Sequence, residues 1–176
     1  MASRMGAGLK GVTDWIAATP PSVALQKNEV WAIPVIQSVH IAAIGVVLGC
    51  VLMMTLRIFG YACADRTLAQ TEARFGPWLR GALWLLLATG LLLIVGEPER
   101  ELITFSFWVK MALVALSALL AWRFHRSLQA DPTRDAGPGL RLTAIVAILM
   151  VIAIVFLGRL IAYDHVWGPL SPATKA

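Results

Sequence analysis

Acidic side chains are scarce in this chain, ten among 176 residues, and none lies inside any of its long apolar runs. A proton path through the interior would carry Asp or Glu within those runs, so their absence argues against one. Cysteine is nearly missing as well. Cys50 falls in the middle of an apolar run and Cys63 just beyond it, which excludes a disulfide framework and any Cys-x-x-Cys metal spacing. Charged residues of both signs make up only 14% of the chain, against about 25% in soluble domains. Between Met1 and Thr19 there is no apolar run of signal-peptide length, so a cleavable signal peptide is not expected. Internal repeats and low-complexity segments are also absent.

What fills the chain instead is apolar, 59% against the roughly 45–50% of soluble domains. Trp31 to Arg57, WAIPVIQSVHIAAIGVVLGCVLMMTLR, carries no formal charge before its last residue. About 20 such residues span the hydrocarbon core of a bilayer. The pattern predicts an all-α integral membrane protein, an antiparallel bundle of four spans at about 34–57, 78–96, 102–124 and 140–163. Residues 1–33 read as an interfacial segment with two short helices, the first ended by Pro20 and Pro21 and the second capped by Ser22. Trp31 is placed to anchor at the interface, with Pro34 at the entry of the first span. Between spans one and two, RTLAQTEAR reads as a short helix capped by Asp65 and ended by Gly76-Pro77. The linker GEPERE is short enough to make spans two and three antiparallel neighbours, and residues 166–176 form a tail.

Four spans put both termini on one side. The two longer loops and their span ends carry eight arginines, at 57, 66, 74, 80, 123, 126, 134 and 141, against four acids, Asp65, Glu72, Asp131 and Asp135. The other side has five basic residues against six acidic ones. The positive-inside rule then puts both loops in the cytoplasm and both termini outside, in a bacterial inner membrane. This distribution explains the basic balance without nucleic acid; the expected partner is the lipid bilayer.

Within the spans, polar residues gather at one depth. His40 lies nine residues past Trp31, roughly 9–13 Å from the outer surface at 1.5 Å per residue. Lys110 enters span three to a similar depth, and Arg159 lies one turn from the outer end of span four. Gln37 shares the His40 side, Ser106, Lys110, Ser117 and Ala121 form a small, polar stripe, and Tyr163 follows Arg159 by four residues. A histidine inside a span is costly unless it meets a partner, a cofactor or water. The plainer reading also stands: His40 bonding a carbonyl or Gln37, Lys110 and Arg159 snorkelling to the surface. His125, beside Arg123 and Arg126, reads as an interface residue, and His165 as part of the tail.

A histidine with cations among apolar helices suits haem b, which needs an axial nitrogen, an apolar slot, and partners for two propionates. His40 is the expected iron ligand; Lys110, Arg159, Gln37, Ser106 and Tyr163 are the expected cofactor-binding residues. Copper or zinc suits the pattern less, because no imidazole or soft ligand clusters with His40.

These residues also resemble a known superfamily. VHIAAIGVVLGCVLMMTLRIFG is similar to the first helix of small bacterial membrane proteins that include the HemJ-type protoporphyrinogen oxidases and CopD copper-resistance domains, in its early His40, Gly49 and closing Arg57. FSFWVKMALVALSALLAWRFHRSL resembles their helix with an embedded Lys, here Lys110, and a His near its end, here His125. LGRLIAY is similar to the close of an uncharacterised group of the same type. The resemblance implies a role for His40 and Lys110 in haem binding. The aromatic-rich sequence after the first His and the Asn-Glu ending of HemJ-type proteins are absent, so it implies the haem site rather than that particular oxidation. The resulting expectation is a haem-b protein that transfers electrons, linked to quinone or a redox partner protein or acting as an oxidase. The alternatives are a CopD-like metal or ion transporter and a structural subunit, in a homo-oligomer or a larger complex.

Overall fold

The structure, a computed structural model, describes residues 2–131, 133 and 136–162; Tyr163, His165 and the tail from 166 lie outside the described residues. The described elements are all helices: α1 (Ala2–Ala17), α2 (Pro20–Lys27), α3 (Glu29–Phe59), α4 (Leu68–Gly96), α5 (Pro98–Leu102), α6 (Phe105–Ala130) and α7 (Pro138–Ala162). Four of them, α3, α4, α6 and α7, are long and apolar enough to cross a membrane. Their large side chains face outward, with Trp84 71%, Phe156 68% and Ile41 62% exposed, as in a bundle whose solvent is lipid.

Several boundaries differ from the sequence reading, each for a local reason. Helix α4 does not stop at Gly76-Pro77 but runs through both. Its N-cap is Thr67, not Asp65: the Thr67 hydroxyl accepts from Gln70 N–H at 3.1 Å while the Gln70 side chain accepts from Thr67 N–H at 3.0 Å. That capping box satisfies two end donors, and Pro77 costs the helix only one rung, which neighbouring helices make tolerable in membrane proteins. Ser22 is not a cap either. It is buried inside α2, donates to the Val95 carbonyl at 2.7 Å and accepts from Gln26 Nε2 at 2.9 Å, pinning α2 to the end of α4. Helix α3 starts before Pro34, at Glu29, and ends on Gly60, whose φ of +81° suits glycine. The acidic linker holds a helix of its own, α5.

Along the α3–α4 interface, Ile33 meets Gly96, His40 meets Thr89 and Gly90, and Ile58 meets Leu68, so the two run antiparallel in register. Inside a bilayer there is no hydrophobic drive between helices, and close packing holds them. Apart from Ile33, Ile58 and Leu68 toward the ends, the buried positions are accordingly small, among them Ala43, Val47 and Cys50 on α3, and Ala82, Thr89 and Gly96 on α4, the latter set spaced every seven residues. Around the bundle the packing order is α4, α3, α7, α6. Helices α4 and α6 touch only lightly, so spans two and three are consecutive without being the close neighbours their short linker predicts. At the loop end, Ile58, Leu68, Leu128 and Ala144 close a core shared by all four long helices.

Candidate functional site

Helix α3 carries His40 between its packed face and the exterior, partly buried. Facing it on α4 is Thr89, the only hydroxyl between Trp78 and Gly96. His40 Nδ1 lies 2.7 Å from Thr89 Oγ1. The hydroxyl has one proton, and the Leu85 carbonyl 2.7 Å away, with that of Leu86 at 3.3 Å, can only accept it. The imidazole can do either, so Nδ1–H donates to Thr89 and the neutral ring keeps its lone pair on Nε2. Thr89 and Leu85 thereby fix both ring orientation and tautomer. Gly90 is the next residue, where a Cβ would sit 3.6 Å from His40 Cε1.

Lys110 is partly buried on α6. Its amine is paired: Nζ lies 3.7 Å from Glu101 Oε2 and 5.2 Å from the Phe107 ring centroid. The amine is thus held by an acid on α5. The small, polar stripe on α6 does face inward, with Ser106, Lys110, Ser117 and Ala121 less exposed than Trp108, Met111 and Trp122. Within it the Ser117 hydroxyl is buried without a hydrogen-bond partner among the described residues. Gln37 is partly buried one turn before His40, and Arg159 is exposed in the last turn of α7. Tyr163, the remaining expected site residue, lies outside the described residues. His125 sits at the opposite end of the bundle, where Nδ1 is 2.9 Å from Glu72 Oε1 and Nε2 is 3.1 Å from Gln129 Nε2.

The structure therefore sets His40 against Thr89 and Gly90, and Lys110 against Glu101; these three partners are residues that sequence reasoning missed. Thr89 had a signal, as a lone hydroxyl at the depth of His40 on the next span. Glu101 had none, because its short helix was read as a linker. Among the described residues no three His, Cys, Asp or Glu side chains form a metal-binding group. A single imidazole suits a metal that brings most of its ligands with it, as a porphyrin does.

No curated protein and no solved structure matches this chain. A family model does, over residues 26–164, which takes in all four candidate spans and every residue of the site. The chain belongs to DUF6644, a family of unknown function.

Proposed function

We propose that this chain is a multi-pass protein of a bacterial inner membrane, with both termini outside, that binds haem b through His40 and transfers electrons to a quinone or a redox partner. The observation that carries the reading is the His40–Thr89 bond, which leaves Nε2 as the nitrogen with a lone pair. The donor set fits the group: one imidazole oriented by Thr89, a glycine beside it, and a partly buried cation, Lys110, on α6. The resemblance of the His40 and Lys110 segments to HemJ-type and CopD-type helices points the same way, and the excess of arginine at the loop end supports the orientation.

In this reading His40 would hold the iron and Thr89 would keep the ring from rotating, with Gly90 packed beside its Cε1 edge. Haem bound there would supply one-electron iron chemistry. Lys110 places a positive charge near the site, moderated by Glu101, and Arg159 lies toward the same end for a propionate.

The test is the absorption spectrum of detergent-solubilised protein, purified with haem supplied during expression. A Soret band that His40→Ala abolishes supports the reading. A protein without the band, even after haem is added back, sinks it, and retained copper in its place would point to CopD-type metal handling.

A further inference from the structure

At the loop end, away from His40, a crevice of about 530 Å³ opens between the end of α3, the connection 60–67 and the start of α7. That volume lies within the roughly 300–1,000 Å³ of small-ligand sites. Three arginines line it from three separate pieces of chain: Arg57 in the last turn of α3, Arg66 in the connection and Arg141 in the first turn of α7. Among the described residues of the lining the one carboxylate is Asp65, 80% exposed and only loosely paired with Arg66 at 3.9 Å. The described lining is therefore cationic by two charges, three arginines against one aspartate.

The guanidinium of Arg57 is held in place. Its Nε donates to the Arg66 carbonyl at 2.6 Å, which leaves the two terminal amino groups as the donors on offer. The connection bends back to make this bond through two left-handed residues, Gly60 at φ +81° and Cys63 at φ 51°. Cys63 has a Cβ and is strained there, so the shape is maintained against a local cost. Thr67, the cap of α4, and Leu68 belong to the lining, and α7 begins beside it. Two helix N-termini thus add their partial positive charge to the three arginines. Below, Ile58 and Leu68 are part of the buried core, so the crevice has an apolar floor that cannot collapse.

We propose that this crevice binds a phosphate group, with arginines 57, 66 and 141 as its ligands. Arginine forks match phosphate oxygens in pairs, and a crevice at the end of a span lies at headgroup depth. An anionic phospholipid would bring the phosphate together with acyl chains for the apolar floor; free phosphate would bring the same oxygens alone.

The experiment uses the full chain in detergent, offered phosphatidylglycerol or phosphatidylcholine in mixed micelles, or inorganic phosphate against chloride at equal ionic strength. Lipid retained is counted by native mass spectrometry, and phosphate binding is read by calorimetry. The expected result is selective retention of phosphatidylglycerol, weakened about tenfold or more by Arg141→Gln and again by Arg57→Gln. Arg141 is exposed, so its variant should fold normally; Arg126→Gln, at the same end but stacked on Trp122, should bind like the wild type. Binding of inorganic phosphate alone, lost in the same two variants, would identify the free ion as the source. Lipid retention that Arg141→Gln and Arg57→Gln leave unchanged, with no phosphate binding, overturns the proposal. So does a loss in Arg126→Gln as large as that in Arg141→Gln, which would show general surface charge.

Discussion

The hydroxyl of Thr89 stands between His40 and the backbone of its own helix, 2.7 Å from His40 Nδ1 and 2.7 Å from the Leu85 carbonyl. One proton and two neighbours leave one assignment, and it sets the imidazole as a donor at Nδ1. Thr89→Val keeps the shape and removes the acceptor. A buried donor left without a partner costs about 1–3 kcal/mol. The expected outcome is weaker haem retention and a broadened or shifted Soret band, restored by Thr89→Ser. A Val variant with an unaltered spectrum would show that the ring needs no orientation from α4. His40→Ala should lose haem altogether while the four helices still insert, since removing a polar residue makes insertion easier.

The spans and their antiparallel order were legible in the sequence because lipid imposes a length and an apolar composition that few other environments share. His40 and Lys110 stood out for the same reason. The capping box had a signature, Thr-x-x-Gln at 67–70, that the reading passed over for Asp65; that α4 continues through Gly76-Pro77 had none, because it depends on the packed helices around it. Nor could the sequence show Glu101 as the partner of Lys110, because an acid five residues past Gly96 reads as part of a polar linker. Long-range pairing, such as Ser22 with the Val95 carbonyl, depends on how helices are packed, and periodicity along one chain carries no record of that.

The Lys110–Glu101 pair gives the haem proposal a test of sign. A cation near the iron favours the reduced state, so Lys110→Met should lower the midpoint potential. Glu101→Gln leaves the amine uncompensated and should raise it. At about 10 Å and an effective dielectric of about 20, one charge is worth on the order of 1–2 kcal/mol, or some tens of millivolts. The double variant should return close to the wild-type value. Shifts of the same sign in both single variants would mean that they act through packing rather than charge.

His125 is bound to Glu72 at the loop end, and Glu72 also meets Arg80 at 3.4 Å. His125→Ala should therefore leave any haem spectrum unchanged. It should loosen the light α4–α6 contact, lowering the thermal midpoint by the few degrees that about 1 kcal/mol represents. A bleached spectrum in this variant, with His40→Ala unaffected, would move the haem to the other end of the bundle.

Orientation is checked by labelling single cysteines from outside intact cells, in a background lacking Cys50 and Cys63. Sites in residues 2–10 and 170–176 should react, and sites in 65–72 and 130–138 should not. Labelling of either loop from outside would reverse the assignment.

Gly90 and Gly96 lie six residues apart on α4, both facing α3, yet they should respond in opposite ways to alanine. At Gly90 a Cβ meets only His40 Cε1, at an ordinary 3.6 Å. Alanine is the better helix former, so Gly90→Ala should be neutral or stabilising by up to about 1 kcal/mol. At Gly96 a Cβ would lie 2.6 Å from Ile33 Cδ1, with Leu25 Cδ1 of α2 at 3.8 Å. The Ile33 side chain is buried and has little space in which to turn, so Gly96→Ala should cost roughly 1–3 kcal/mol, as overpacking does. Thermal unfolding in detergent measures both. The clash names its own remedy: Ile33→Val deletes the offending Cδ1, so Gly96→Ala with Ile33→Val should recover most of the loss. If Gly96→Ala alone is as stable as the wild type, α3 and α4 do not approach as closely at this end as the structure places them, and the register that brings His40 to Thr89 loses its support.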